Sequence, residues 1–339
     1  KNDSFDWIIN LPVIISWRVQ QRKKDAKYRQ FYMVGHYIVA LENKIVHKIL
    51  SFFDGSKEKT VYCKSLKFGY ISNRLRYFRK FKYVYSLDLK SYDLSISNDL
   101  IKICFKLIRH IVNLTPLDSS ILDSLEYYHL NAPIMSSKNG KAIMFTKKKG
   151  LLSGSTFTNL FGTIINTFCI CYFLIYHNIP FTYKNLLVMS DDCLIAINTD
   201  FSLDYISKFY QSHFGLTISI EKSVKYEKGW NSIYFLGHEM TENSRLMDTE
   251  LTKYQLVNTG HIVSSEIMNS ETRIVSKLVS LCSKCTNGID FFNKYIDQVK
   301  VELNLERLPK TFVNLITFTG TDLFLNKDLR YTLINGWRN

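Results

Sequence analysis

The chain has 339 residues, 46% hydrophobic and 14% aromatic, with five prolines; this excludes an intrinsically disordered protein and exceeds what one simple core organises, so two or three lobes are expected. Lysine and arginine outnumber aspartate and glutamate by 44 to 30, a formal charge of +14, which favours a polyanionic partner such as nucleic acid or an acidic membrane surface over a neutral one, the plain alternative being a lysine-rich coding bias. The seven cysteines are odd in number and scattered through apolar runs, which argues for a reducing compartment over secretion. No signal peptide is visible, and the start at Lys1, without Met, predicts a trimmed domain or a processed fragment.

Aromatic rings interleave with cations in RVQQRKKDAKYR (Arg18 to Arg29) and NRLRYFRKFK (Asn73 to Lys82), a pattern suited to phosphates with bases stacked nearby, or to a solvated basic face. Tyr83, Tyr85 and Leu87 then alternate with Val84, Ser86 and Asp88, the period of a strand that carries Asp88 at its end. Leu100, Cys104, Leu107, Ile111 and Leu114 recur at helical spacing after Ser95 and Ser97, either a possible cap, and the helix should end near Pro116. In APIMSSKNGKAIMF (Ala132 to Phe145), Asn139-Gly140 lies between two strand-like runs and predicts a hairpin. Small residues at Ser153, Gly154 and Ser155 lead into a long apolar helix that should run to about His177, before Pro180. Its most apolar run, Ile164 to Tyr176, contains Asn166 and is shorter than the roughly 20 residues of a membrane span, so a buried helix and no membrane span are expected.

The stretch NLLVMSDDCLIAI (Asn185 to Ile197) reads as two short strands joined by Ser190, Asp191, Asp192 and Cys193. Leu203, Ile206, Phe209, Tyr210 and His213 predict an amphipathic helix begun by Ser202 and stopped by Gly215, and GLTISIEKS and SIYFLGHEM follow as strand candidates. From Asn243 onward helical spacing continues into a third lobe. Its CSKC, at Cys282 and Cys285, lacks the further Cys or His pair that a zinc tetrahedron needs. An Asp-Asp pair is common in turns, because the side chains bond local backbone. If the strand ending at Asp88 neighbours the Asp191-Asp192 hairpin, however, the carboxylates converge on one edge. Such a cluster repels itself unless cations occupy it, and magnesium suits carboxylates, water and substrate phosphates.

Taken in order, DLKSYD from Asp88, SGSTFTNLFGTIIN from Ser153, the SDD hairpin, GLTISIEKS with Lys222, and YFLG resemble motifs A to E in the palm of viral RNA-dependent RNA polymerases. KYRQFYMVGHYIVALEN from Lys27 resembles their fingers motif F, and the set looks most like the partitivirus and picobirnavirus branch of double-stranded RNA viruses. The resemblance implies an α+β right-hand polymerase: fingers at 1–80, palm at 81–114, a fingers or hairpin insertion at 115–150, palm at 151–242 and thumb at 243–339. It implies template-directed RNA synthesis from ribonucleoside triphosphates by two-metal nucleotidyl transfer, with two Mg2+ ions (Mn2+ as a substitute) held by Asp88 and Asp191 and more weakly by Asp192. Lys222 would protonate the leaving pyrophosphate, and Lys27 and Arg29 would hold the triphosphate. Asp93, Ser153, Gly154, Thr158 and Asn166 complete the implied nucleotide-binding set. Phe235, Leu236 and Gly237 would support the primer end.

Asp93, five residues after Asp88, offers an acceptor to a 2′-hydroxyl where DNA-making relatives place an aromatic ring, and Thr158, Gly162 and Asn166 share one helical stripe. On this basis Asn166 is expected to bond Asp93 or the ribose, the alternative being a buried helix asparagine bonded to its own surroundings. The sequence departs from the family pattern at Gly162, where Asn is commoner, and at Ser190, where this branch more often has Gly. The expected partners are an RNA template, the product duplex, ribonucleoside triphosphates and, inside a particle, capsid protein. The expected location is the cytoplasm of the infected host cell, inside or outside the viral particle. Two other readings are a reverse transcriptase of the intron or retroelement kind, which Asp93 argues against, and an inactive polymerase-like RNA-binding protein, which retention of the three aspartates argues against.

Overall fold

A computed structural model describes residues 7, 10–21, 26–54, 68–138, 141–246, 248–250, 252–253, 278, 282, 285–288 and 290–295. In chain order the elements are β1 (Val13–Gln21), β2 (Ala26–Met33), α1 (His36–Asp54), α2 (Phe68–Phe78), β3 (Tyr83–Leu87), α3 (Tyr92–Ser95), α4 (Asn98–Ile111), α5 (Pro116–Asn131), β4 (Pro133–Lys138), β5 (Lys141–Thr146), α6 (Phe157–Tyr176), β6 (Leu186–Met189), β7 (Asp192–Ile197), α7 (Leu203–Phe214), β8 (Val224–Glu227), β9 (Ile233–Phe235), β10 (His238–Met240) and β11 (Arg245–Leu246). The chain divides into two compact units, one of Lys1–Gln20, Ala26–Lys64 and Tyr77–Gly229, the other of Gln21–Asp25, Ser65–Arg76 and Trp230–Asn339.

The first unit holds two four-stranded sheets, ordered β2-β1-β4-β5 and β6-β7-β3-β8. In the second of these every strand pair is antiparallel, with β3 between β7 and β8. Val84, Tyr85 and Leu87 of β3 are buried, so this strand does not show the clean alternation of a one-sided sheet; a central strand covered on both faces reads as an apolar run instead. Against the sheet lies α6, whose Phe157, Phe161, Ile165, Cys169, Ile170, Phe173 and Leu174 are buried. Phe161 stacks on Phe157 at 4.7 Å and meets the edge of Phe105 from α4 at 5.0 Å. At 20 residues α6 is longer than its most apolar run suggested, and by length and composition alone it could cross a membrane. In this fold 56% of its apolar window is buried inside the protein. The second unit contains the small sheet β11-β10-β9.

Local signals explain several helix ends. Ser97 caps α4 by accepting the Leu100 N–H, Ser202 caps α7 by accepting the Tyr205 N–H, and Gly215 ends α7 in the left-handed conformation at φ 67°. Three expectations need correction. Pro116 does not close a helix; α4 stops at Ile111 and Pro116 opens α5, where Thr115 and Asp118 form a capping box. A proline is tolerated there because the first helical N–H has no partner to lose. GLTISIEKS is not a strand but a loop tied to the segment after β3 by one bridge, Leu89 to Ile218, and β8 starts only at Val224. SIYFLGHEM is two strands, because Leu236 and Gly237 turn the chain at φ 52° and 76° between the paired Phe235 and His238. The Asn139-Gly140 turn lies outside the described residues, though β4 and β5 pair antiparallel up to Lys138 and Lys141 on either side. Most of the expected third lobe also lies outside the described residues.

Asp118 joins α5 to α1. Its buried carboxylate accepts from Thr115 Oγ1 at 2.6 Å and Thr115 N at 3.1 Å, and Lys48 and Lys44, one turn apart on α1, approach it at 2.5 and 3.3 Å. The Lys48 ammonium, then the Thr115 hydroxyl, hold this carboxyl well below the usual carboxylate range. A group depressed in the folded state contributes stability above its unfolded pKa of about 3.9 and loses it as pH falls toward the folded value. Asp118→Asn should therefore lower unfolding free energy by about 1–2 kcal/mol at pH 7. In urea titrations repeated at pH 7, 4 and 3, the loss of stability below pH 4 should be smaller for the variant than for the parent.

Candidate active site

The register of the central sheet builds the site. β3 runs antiparallel to β7 with Leu87 opposite Cys193, and β6 pairs with β7 so that Met189 faces Asp192. Continuing the first pairing by one residue puts Asp88, just past β3, across from Asp192. The β6-β7 connection is a two-residue turn of Ser190 and Asp191, with Ser190 in the left-handed region at φ 56°, a conformation that suits the twist of a tight hairpin. Asp88, Asp191 and Asp192 thus stand at one end of one sheet, as the sequence predicts for neighbouring strands.

The electrostatics of that edge follow from the placement. Asp192 is half-buried, and burial, then the charges of Asp191 and Asp88, push its carboxyl up to about 7. Asp88 is better solvated, and the loop before β8 wraps it: Ser223 Oγ accepts the Asp88 N–H at 3.0 Å and the Asp88 carbonyl accepts the Ser219 N–H at 2.8 Å. That loop brings Lys222 to 3.5 Å from Asp88 Oδ2. Among the described residues no group of three His, Cys, Asp or Glu side chains is drawn together tightly enough to hold an ion by itself. The donor set is an open edge of carboxylates, whose chemistry suits magnesium, an ion that keeps several waters and takes phosphate oxygens beside one or two carboxylates.

One stripe of α6 holds the turn. Thr163 Oγ1 accepts the Ser190 N–H at 2.9 Å, and Asn166 Nδ2 donates to the Ser190 carbonyl at 2.8 Å and lies 3.5 Å from that of Asp191. Asn166 is fully buried. Its Nδ2 therefore serves the turn's backbone, in keeping with the alternative of a buried helix asparagine bonded to its surroundings. Asp93 sits half-buried in α3, and its carbonyl accepts the Leu151 N–H at 2.6 Å. Lys27 and Arg29 lie on β2, but their side chains fall outside the described residues. Phe235, Leu236 and Gly237 occupy the β9-β10 turn of the second unit.

Residues 24–300 match the viral RNA-dependent RNA polymerase family. The chain belongs to that family. It is 29% identical over 231 residues to the RNA-directed RNA polymerase of Cryptosporidium parvum virus 1 (strain KSU-1), spanning 63% of this chain and 41% of that protein. Its fold matches the RNA-dependent RNA polymerase of a human picobirnavirus at a TM-score of 0.71 and 15% identity, covering 96% of this chain and 64% of that one. An insertion-loop deletion mutant of a human picobirnavirus polymerase matches at 0.74 and 14% identity, with 96% and 62% covered. The chain therefore has the α+β polymerase fold, and it spans less than two thirds of the length of each of these relatives.

In this polymerase chain the loop before α6 is anchored to the N-terminal elements. Ser153 Oγ accepts the Tyr32 N–H at 2.9 Å, and a Cβ on Gly154 would stand 2.2 Å from the Tyr32 carbonyl oxygen. Glycine is needed at 154 so that two backbones can meet. Thr158 Oγ1 lies 2.6 Å from the Leu152 carbonyl and 2.9 Å from that of Ser155, closing the loop on itself. Sequence reasoning missed the centre of this lock, Glu42 of α1. It is fully buried, accepts the Thr156 N–H at 2.7 Å at the start of α6, and accepts from Ser155 Oγ at 2.8 Å, with His129 Nε2 2.7 Å away. Glu42→Ala would strand all three groups in the interior. Its unfolding free energy, measured in guanidinium, should fall by about 2–4 kcal/mol; a change under about 0.5 kcal/mol, the usual range for surface positions, would remove Glu42 from this role.

Proposed function

We propose that the chain joins ribonucleoside triphosphates on an RNA template by nucleotidyl transfer, replicating or transcribing a double-stranded RNA virus genome. The observation that carries this reading is the meeting of Asp88 with the Asp191-Asp192 turn at one sheet edge in a chain of this family. In this reading the 3′-hydroxyl of the growing strand attacks the α-phosphorus in line, and the bond to pyrophosphate breaks. Two divalent cations, when bound, supply charge neutralisation at the α-phosphate and the leaving pyrophosphate and lower the pKa of the attacking hydroxyl.

The protein's own residues do the rest. Asp88 and Asp191 are the main cation ligands, with Asp192 the third carboxylate of the edge. Lys222, already within 3.5 Å of Asp88, gives a proton to the departing pyrophosphate. Lys27 and Arg29 hold the triphosphate, as point charge and fork respectively, and Asp93 accepts from the ribose 2′-hydroxyl. The loop at Ser153, Gly154 and Thr158 supports the nucleotide through its backbone, and Asn166 acts at one remove, by holding the catalytic turn. The fingers are then residues 1–80 with the insertion at 115–150, the palm 81–114 and 151–242, and the thumb 243–339.

On a defined RNA template with magnesium, the parent protein should extend with ribonucleotides in preference to deoxyribonucleotides. Asp191→Asn should lower the rate by at least about 100-fold. Preferential deoxynucleotide incorporation would establish a reverse transcriptase instead, and an undiminished Asp191→Asn would remove the two-cation assignment. Because the chain carries a formal charge of +14, template affinity measured by fluorescence anisotropy should drop by about 10- to 1000-fold between 50 and 200 mM salt.

A further inference from the structure

Three segments with proposed chemistry meet at a single residue of α6, Gly162. A Cβ at this position would lie 2.5 Å from Ser190 Oγ, 3.3 Å from Ser190 Cβ and 3.3 Å from Tyr92 Cε1. The carbonyl of the same residue accepts a hydrogen bond from the buried Tyr92 hydroxyl at 2.7 Å. Tyr92 directly precedes Asp93, and Ser190 directly precedes Asp191. Each of the two small residues is a poor choice locally. Glycine inside a helix is less favourable than alanine, and Ser190 holds a left-handed φ of 56° that glycine would adopt with less strain. Together they account for each other, because the space left by the missing Cβ is filled by the serine hydroxymethyl group.

We propose that Gly162 is the seat of the catalytic turn, and that Gly162, Ser190 and Tyr92 are positioning residues that fix where Asp191 and Asp192 stand relative to Asp88 and Asp93. The seat sets the distance between α6 and the turn, while Thr163 and Asn166 fix its orientation through the Ser190 backbone. An added methyl at 162 would turn the Ser190 hydroxyl aside and press on Ser190 Cβ and Tyr92 Cε1, each at 3.3 Å, so that the turn gives by a few tenths of an ångström and Asp191 moves with it, in geometry that tolerates little error. This inference rests on the polymerase reading above.

The test is a double-mutant cycle of parent, Gly162→Ala, Ser190→Gly and the double variant, read by kcat and KM for the incoming nucleotide and by thermal unfolding. Gly162→Ala should lower kcat by about 10- to 100-fold with KM nearly unchanged, and in the Ser190→Gly background the same alanine should cost less than about threefold. That second comparison stands even if Gly162→Ala alone does not fold. An equal loss in both backgrounds would overturn the proposal, as would coupling seen in the unfolding midpoint but absent from kcat, which would leave a packing contact without a positioning role. Failure of the parent itself to make RNA would count against the polymerase reading, whereas an active parent with additive variants counts against the seat alone.

Discussion

The mutual repulsion of three carboxylates is the constraint around which this protein is organised. Left to themselves, Asp88, Asp191 and Asp192 would move apart; burial and the other two charges already push the Asp192 carboxyl up to about 7. What keeps them together is a strand register. With Leu87 fixed opposite Cys193, Asp88 has no other place to stand, and a slip of one residue would turn every side chain of β3 to the opposite face. Buried apolar residues on β3, β6 and β7 make that slip costly. The fold thus uses hydrophobic burial to hold an electrostatically unfavourable edge, the arrangement expected where a cation is to be bound.

The helix α6 carries the second layer of this organisation. Its apolar face belongs to the core, and a short polar stripe of Gly162, Thr163 and Asn166 meets the Ser190-Asp191 turn. Its first turn is secured by the buried carboxylate of Glu42, and the loop ahead of it by the Tyr32 backbone. Through α6, the elements α1 and β2 are consequently linked to the turn that carries Asp191. The loop residues Ser153 and Gly154 are held in place against Tyr32.

Much of the site was legible before the structure. Period-two spacing located β3, two short apolar runs around Ser190–Cys193 located the β6-β7 hairpin, and Ser97, Ser202 and Gly215 cap helices as their residue types predict. The ordered motifs gave the family and the α+β polymerase fold. What remained hidden was long-range or two-sided. Glu42 lies 87 residues from His129 and 113 from Ser155, and no local pattern marks a buried carboxylate whose partners are so distant. Pro116 has two meanings, helix end or first helical residue, and only the reciprocal bonds of Thr115 and Asp118 decide between them. Asn166 shares a stripe with Thr158 and Gly162, which fixes its face but not the group it meets.

The central claim is that Asp88, Asp191 and Asp192 form one site for divalent cations. Manganese binding followed by electron paramagnetic resonance, with a ribonucleoside triphosphate present, tests it without requiring turnover. The account predicts that the parent protein binds the ion and that Asp88→Asn weakens binding by at least about tenfold. Equal affinity in parent and variant would show that the carboxylates share an edge but not an ion, and would contradict the account.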